Sequence, residues 1–141
     1  MNAATLEITD AHREYAASAL HSLPFAQLIG MQLVRLEVDE ATISVEMRDD
    51  LRQPSGVLHG GVTATLIDTA MAFAVRTRLE PTAATATIDL TVHYLRPLTE
   101  GHAVCTAKVV RAGKRIFTVS AEVENAAGKL IATGLSTYTR V

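Results

Sequence analysis

Hydrophobic and polar positions follow two different periods along the chain, and each period predicts a different kind of element. From Asp10 to Leu23, apolar residues recur at helical spacing, with Asp10 as the expected N-cap and Pro24 directly after the helix. At positions 41–47, apolar and polar residues alternate, which is typical of a half-buried strand, and residues 33–38 are its predicted partner. The first third of the chain is therefore predicted to contain one helix and one two-stranded hairpin.

A long apolar segment at the centre of the chain predicts its dominant helix. The pattern begins at Gly60 and Gly61 and ends at Leu79, shortly before Pro81. Its residues are small or apolar around most of the helix circumference, so the helix must be buried on most sides. The polar residues 49–56 precede it and are predicted to form a loop.

Four further strands are predicted after this helix. Residues 85–94 alternate most regularly, which would place Thr87 and Tyr94 on opposite faces of the sheet. The other predicted strands, separated by short turns, span residues 103–111, 117–124 and 130–139. Runs of strands joined by short turns favour an antiparallel sheet. The sequence therefore predicts an α+β fold in which the sheet wraps around one long buried helix.

The composition indicates one globular unit without a general affinity for nucleic acid or membranes. The chain has 141 residues and no linker, and we divide it into an N-terminal helical segment, 1–24, and a main domain, 25–141. Its net charge of -2 gives no attraction to nucleic acid or to anionic lipids. No apolar run approaches the roughly 20 residues that span a bilayer, and the first ten residues lack a signal-peptide pattern. We therefore expect a cytoplasmic protein.

The single cysteine of the chain, Cys105, cannot form an internal disulfide, which fits a reducing compartment. It lies on one face of a predicted strand. We interpret it as a core residue and not as a nucleophile.

Asp68 is the first candidate for chemistry, because it is the one formally charged side chain between Arg52 and Arg76. It lies in the middle of the predicted central helix, among apolar and small neighbours. Burying an unpaired carboxylate costs several kcal/mol, so a purely structural helix would not place one there. Two interpretations stay open on this residue alone: a catalytic carboxylate, or an aspartate that pairs with a neighbour, forms a cap or faces water.

The two glycines at the start of the same helix favour the catalytic interpretation. Free backbone N–H groups at a helix N-terminus, together with the helix dipole, attract negative charge, and this is the geometry of an oxyanion hole. Gly61 precedes Asp68 by seven residues, or two helical turns, so both lie on one face of the helix. The alternative is that Gly60 and Gly61 only permit tight packing.

The residues around this helix start resemble the signature of a known family. The run Leu58-His59-Gly60-Gly61-Val62, followed by 65–70 with Asp68 inside it, is similar to the phenylacetyl-CoA thioesterase (PaaI-type) branch of the hotdog-fold acyl-CoA thioesterases. The predicted order of elements is also that family's order, so the resemblance covers the chain after about Leu23. It implies a hotdog fold, an antiparallel sheet wrapped around one central helix, here with an extra N-terminal helix.

The resemblance also implies catalytic roles for five residues. Asp68 matches the helix carboxylate that acts as nucleophile or as general base on water, and Gly60 matches the glycine whose N–H binds the thioester carbonyl oxygen. Gln53 would orient the thioester or the water, and Thr87 would help to hold the water. His59 could touch the carbonyl, but the favoured role is structural, holding the loop to the helix. In that family the site lies at a dimer interface, with Asp68 and Thr87 from one subunit and the other three from its partner.

A basic turn is the candidate binding site for the coenzyme A part of the substrate. It contains the basic residues Arg111, Lys114 and Arg115 together with Gly113, and these could hold the phosphates or the pantetheine arm. A solvated hairpin tip is the alternative interpretation of this turn. Tyr94 lies where the family's coenzyme A channel runs and is the fifth predicted contact.

The activity that the resemblance implies is hydrolysis of acyl-CoA thioesters to a free acid and coenzyme A, with aromatic or medium-chain acyl groups. It implies no metal and no cofactor besides the coenzyme A of the substrate. The exposed edges of a small sheet also predict a homodimer or homotetramer. Two alternatives stay open, a hotdog hydratase or dehydratase, whose His-to-Asp spacing differs, and a non-catalytic acyl-CoA-binding module. The predicted wall of the acyl pocket consists of Leu20, Phe25, Met71, Phe73 and Val75.

Overall fold

Six antiparallel strands and three α-helices make up residues 6–141, the part of the chain that the computed structural model describes. In chain order the elements are α1 Asp10–Ser22, α2 Pro24–Ile29, β1 Met31–Glu37, β2 Glu40–Glu46, a 3-10 turn Asp49–Leu51, α3 Gly60–Arg76, β3 Thr85–Tyr94, β4 His102–Ala112, β5 Ile116–Glu124 and β6 Leu130–Arg140.

The strands form a single sheet in the order β1-β2-β4-β5-β6-β3, and α3 packs on one face of it, mainly on β4, β2 and β5. Eight residues of α3, spaced by three or four along the helix, are buried against the sheet. The predicted α+β architecture, a sheet around one long helix, is confirmed. Within residues 6–141, no helix combines the length and the apolar character that crossing a bilayer requires.

The N-terminal helical region differs from the prediction in two respects. The N-cap of α1 is Thr9 and not Asp10, because Thr9 and His12 form a reciprocal capping box. Pro24 does not simply end this region but starts the short helix α2, which the sequence pattern did not predict. Proline suits the first position of a helix, since its fixed φ is helical and its missing N–H would have no partner there.

Both N-terminal helices share the core of the main domain. Leu20 of α1 and Ala26 of α2 are each only 1% exposed and belong to the same apolar cluster as Met31 of β1. The predicted boundary after residue 24 thus falls between two helices that pack on one core. The first five residues of the predicted segment 1–24 lie outside the described part of the chain.

A β-bulge in β3 changes which residues of this strand face α3. Thr87 pairs with Tyr138 and Leu90 pairs with Ser136, so four residues on β3 correspond to three on β6 and Ile88 is the extra one. Tyr138 and Ser136 are buried on the α3 side of β6. Their partners Thr87 and Leu90 therefore face α3 as well. The strict alternation predicted for residues 85–94, which put Thr87 opposite Tyr94, was wrong for this reason.

Burial of Cys105 predicts a specific dependence of stability on pH. The side chain is fully buried on β4, and this burial raises the pKa of its thiol to about 12 from an ordinary value of 9.0. Between these values the unfolded chain releases the thiol proton while the native protein keeps it, so rising pH favours unfolding. The expected loss is on the order of 4 kcal/mol by pH 12.

Denaturant unfolding at pH 7, 9 and 11, with Cys105→Ala as the comparison, measures this effect. The variant is expected to lose less stability than the wild type between pH 9 and pH 11, because it has no thiol to ionise. Equal losses in both proteins would contradict the assignment to Cys105.

Candidate active site

Asp68 lies in a cluster of three polar side chains where α3 crosses the β3 edge of the sheet. Its Oδ1 accepts hydrogen bonds from the Thr87 hydroxyl at 2.9 Å and from the Tyr138 hydroxyl at 2.5 Å. Asp68 is half-buried, Thr87 is exposed and Tyr138 is buried. We call Asp68, Thr87 and Tyr138 the carboxylate cluster. The predicted pair of Asp68 and Thr87 is therefore in contact, and the half-buried carboxylate has hydrogen-bond partners.

Tyr138 is the member of this cluster that the sequence did not indicate. Burial of the ring raises the pKa of its hydroxyl, and the hydrogen bond with Asp68 raises it further. The hydroxyl therefore stays protonated and stays a donor. A buried tyrosine in a terminal strand needs a hydrogen-bond partner, and this is a signal that sequence reading could use. No spacing along the chain, however, relates position 138 to position 68.

The start of α3 leaves one backbone N–H group free for a ligand. His59 is the N-cap of the helix, and its Nδ1 accepts a hydrogen bond from the Gly61 N–H at 2.8 Å. The N–H groups of Val62 and Thr63 donate to the carbonyl oxygen of His59. Among residues 6–141, no acceptor takes the N–H of Gly60. The resemblance assigns this N–H group to the oxyanion. The hydrogen bond between His59 and Gly61 agrees with the structural role favoured for His59.

A groove of about 570 Å³ opens at this helix start, and its lining includes Gln53, His59, Gly60, Gly61 and Tyr94. The hydroxyl of Tyr94 donates to the carbonyl oxygen of Gly60 at 2.7 Å, and a Cβ added at Gly60 would lie 3.2 Å from the Tyr94 ring. Gln53 donates through Nε2 to Ser55 at 2.8 Å. Three predicted catalytic residues and one predicted coenzyme A contact thus share this helix-start groove.

Within one chain, the helix-start groove and the carboxylate cluster lie at different positions along α3. Gly60 and Asp68 are eight residues apart on α3, which corresponds to about 12 Å along the helix axis. One reacting carbonyl must lie roughly 3 Å from both its oxyanion donor and its catalytic group. The glycines and Asp68 share one face of α3, but two helical turns separate them by this distance, so within one chain they cannot act on the same carbonyl. Asp68 is also absent from the lining of the groove.

The predicted basic turn is the exposed tip of the β4–β5 hairpin. Arg111, Lys114 and Arg115 are exposed there, and the Gly113 N–H donates to the Ile116 carbonyl oxygen at 2.8 Å. The register runs across the sheet from Ala112 through Phe117 and Tyr138 to Thr87, a width of about 14 Å at ordinary strand spacing. The tip therefore belongs to the end of the sheet that holds the carboxylate cluster. It does not line the groove that contains Tyr94.

Three of the five residues predicted for the acyl pocket are core residues. Leu20, Met71 and Val75 are at most 1% exposed, so they offer no surface to a ligand in this chain, and their assignment to the pocket wall was wrong. The side chain of Phe25 is exposed instead. Phe73 lines a cavity of about 450 Å³ between α1 and the end of α3. Periodicity marks these positions as apolar but does not separate a pocket wall from a core.

Comparison with known proteins decides the family. A model of the family described as the thioesterase superfamily matches residues 55–132, which include His59, Gly60, Asp68 and Thr87. The chain belongs to the thioesterase superfamily. Acyl-coenzyme A thioesterase 13 of Homo sapiens is 30% identical to this thioesterase over 133 residues, covering 92% of this chain and 94% of the relative. The medium/long-chain acyl-CoA thioesterase YigI of Escherichia coli K12 is 28% identical over 137 residues, covering 84% and 86%.

A solved structure has the same fold as this thioesterase. The PaaI protein from the phenylacetic acid degradation operon of E. coli aligns with a TM-score of 0.84 and 22% identity, covering 92% of each chain. At this identity the likeness shows the fold alone. The predicted hotdog fold and family are confirmed, and the protein is a thioester hydrolase. The roles of the individual site residues stay predictions.

Proposed function

We propose that this thioesterase hydrolyses acyl-CoA thioesters, with aromatic or medium-chain acyl groups, to a free acid and coenzyme A. The human relative is named an acyl-coenzyme A thioesterase and the E. coli relative a medium/long-chain acyl-CoA thioesterase. The two alignments cover 92% and 84% of this chain. These names support the substrate class, and the acyl range is our proposal.

The proposed chemistry uses two groups, the backbone N–H of Gly60 and the carboxylate of Asp68. The thioester carbonyl oxygen accepts the unpartnered N–H of Gly60, at the positive end of the α3 dipole. Asp68 takes a proton from water, which attacks the carbonyl carbon, or attacks that carbon itself to form an anhydride that water then opens. In either route the carbon–sulfur bond breaks and coenzyme A leaves as its thiol. The side chain of Gln53 orients the thioester or the water.

The observation that carries this proposal is the separation of Gly60 from Asp68 within one chain. Because one thioester cannot reach both, we propose that two copies of the chain complete each site. One copy supplies the helix-start groove, with Gln53, His59 and Gly60, and the other supplies Asp68 and Thr87. Each symmetric dimer then has two equivalent sites.

The open edge of the sheet supports this dimer. β3 is the last strand in the sheet order, and no strand within residues 6–141 pairs with its outer side. Strand edges of this kind pair readily with a second chain. Large apolar side chains are exposed on and beside this edge, with Ile88 at 56%, Tyr94 at 57%, Leu95 at 50% and Leu135 at 55% exposure. We propose a homodimer through this edge, with a homotetramer as two such dimers.

The same arrangement gives the basic hairpin tip a role in binding coenzyme A. Arg111, Lys114 and Arg115 lie at the end of the sheet that holds the carboxylate cluster, whereas Tyr94 lies in the helix-start groove. In the proposed dimer, the two sets come from different copies and flank one site. Guanidinium and ammonium groups suit the phosphates of coenzyme A, and the reaction as proposed uses no metal and no further cofactor.

Thiol release from a panel of aromatic, short-, medium- and long-chain acyl-CoAs tests the function. A disulfide reagent reads only coenzyme A in the folded protein, because the single cysteine, Cys105, is buried. Release with aromatic or medium-chain substrates is expected. Loss of the conjugated absorbance of an enoyl-CoA without thiol release would indicate a hydratase instead. Tight acyl-CoA binding with neither reaction would indicate a binding module.

Complementation between two inactive variants tests the shared site. Asp68→Asn and Gln53→Ala, co-expressed with two different tags, are expected to form a heterodimer with about half of the wild-type activity, because one of its two sites holds neither substitution. The matched control is the heterodimer of Asp68→Asn with Asp68→Ala, in which both sites lack the carboxylate. Activity no higher than this control would count against a site built from two chains.

A further inference from the structure

We propose that Tyr138 is a positioning residue for the reaction: its hydroxyl holds the Asp68 carboxylate by Oδ1, so that Oδ2 is the oxygen that reacts. This inference rests on the proposed function. It assigns a role to a side chain at the far end of the sequence from the helix-start signature. It also assigns different roles to the two oxygens of Asp68.

The two oxygens of the carboxylate have unequal surroundings. Oδ1 accepts from both Thr87 and Tyr138, which are cross-strand neighbours on β3 and β6. Oδ2 receives no hydrogen bond from residues 6–141. An oxygen with two donors has its lone pairs engaged, whereas the other oxygen can accept a proton or attack a carbon. The geometry therefore points to Oδ2 as the reacting atom.

Tyr138 also fixes the carboxylate relative to the helix backbone. Its hydroxyl oxygen lies 2.5 Å from Oδ1 and 2.6 Å from the backbone carbonyl oxygen of the same aspartate. The hydroxyl has one proton, and a charged carboxylate is a stronger acceptor than an amide carbonyl. Because the carbonyl belongs to the rigid helix, a hydroxyl seated between both oxygens restricts the rotation of the Asp68 side chain.

Packing holds the Tyr138 ring independently of its hydroxyl. The residue is 1% exposed, and its cross-strand neighbour on β5 is the equally buried Phe117. Burial also raises the pKa of the hydroxyl, so the group stays protonated and remains a donor at neutral pH. Tyr138→Phe should therefore keep the fold and the ring position, and remove only the hydrogen bond.

Kinetics of Tyr138→Phe test this role. We expect kcat to fall about ten- to hundredfold, as for the loss of a hydrogen bond to a charged group, with KM changed less than about threefold. The acidic limb of the kcat–pH profile should move to higher pH, since the charged carboxylate loses a donor. The matched control is Tyr15→Phe, which removes the hydroxyl of an exposed tyrosine on α1 and should leave kcat and the pH profile unchanged.

A merely structural hydroxyl would give a different result. Tyr138→Phe would then lower the midpoint of thermal unfolding but leave kcat and the acidic limb like those of the wild type, and this outcome would overturn the positioning role alone. A folded wild type that releases no thiol from any acyl-CoA would overturn the proposed function and this role together. The two failures are therefore distinguishable in one set of assays.

Discussion

Replacing Asp68 with asparagine is expected to lower kcat for thioester hydrolysis by about a thousandfold, within the range for loss of a general base or nucleophile. The amide cannot take the proton of water at neutral pH, and it is a poor nucleophile. The amide oxygen can still accept the hydrogen bonds that Thr87 and Tyr138 donate to Oδ1 of Asp68 in the wild type. The fold and the binding of substrate should therefore survive, and KM should change little.

Thiol release under saturating acyl-CoA, together with the thermal unfolding midpoint, measures this effect. The matched control is Asp89→Asn on the same edge strand, whose carboxylate accepts the backbone N–H of Thr137 and has no place in the proposed reaction. Asp89→Asn should keep most of the wild-type kcat. A folded Asp68→Asn variant with more than about a tenth of the wild-type kcat would exclude Asp68 as the catalytic carboxylate.

The parts of this fold that sequence reading predicted are those that local periodicity determines. The central helix was recognised from its apolar pattern, and it extends from Gly60 to Arg76, one turn shorter than predicted. The backbone carbonyl oxygen of Ala74 accepts from the Thr77 backbone N–H and from its hydroxyl, and these bonds close the helix there. The bounds of the later strands were predicted to within one or two residues, because a half-buried sheet requires apolar and polar residues to alternate along each strand.

The errors occur where a feature depends on residues distant in sequence. The bulge at Ile88 is set by pairing with β6, and alternation within β3 contains no sign of it. The contact of Tyr138 with Asp68 joins positions seventy residues apart. The separation of Gly60 from Asp68 concerns translation along the helix, whereas the sequence argument considered only which face they share. The motif resemblance supplied candidate residues for the site, whose roles stay predictions, but it did not supply the distances between them.

Gly134 is expected to be the most sensitive position in the sheet, because it sets the distance between α3 and β6. A Cβ added there would lie 2.7 Å from Cγ2 of Ile67 and 3.3 Å from Cε of Met71. Met71 can adjust its flexible end, but Ile67 is fully buried and β-branched, so its methyl group cannot turn away. Gly134→Ala should therefore push the helix outward and destabilise the protein by about 2–3 kcal/mol.

Denaturant unfolding of Gly134→Ala, Ile67→Leu and the double variant tests this contact. Leucine keeps the volume of Ile67 but has no Cγ2 methyl, so the double variant should be more stable than the two single effects predict. Simple additivity would show that the Ile67 methyl is not what excludes a side chain at position 134. A glycine needed only for strand geometry would give that additive result.

The contacts of Gly134 with Ile67 and of Tyr138 with Asp68 link stability to catalysis. Gly134 and Tyr138 lie on one face of β6, and they meet the consecutive residues Ile67 and Asp68 of α3. An outward shift of the helix at Gly134 would lengthen the hydrogen bond from Tyr138 to the Asp68 carboxylate. Gly134→Ala should therefore also lower kcat, and Ile67→Leu should recover part of it. Recovery of stability without recovery of kcat would show that the helix position does not control the carboxylate.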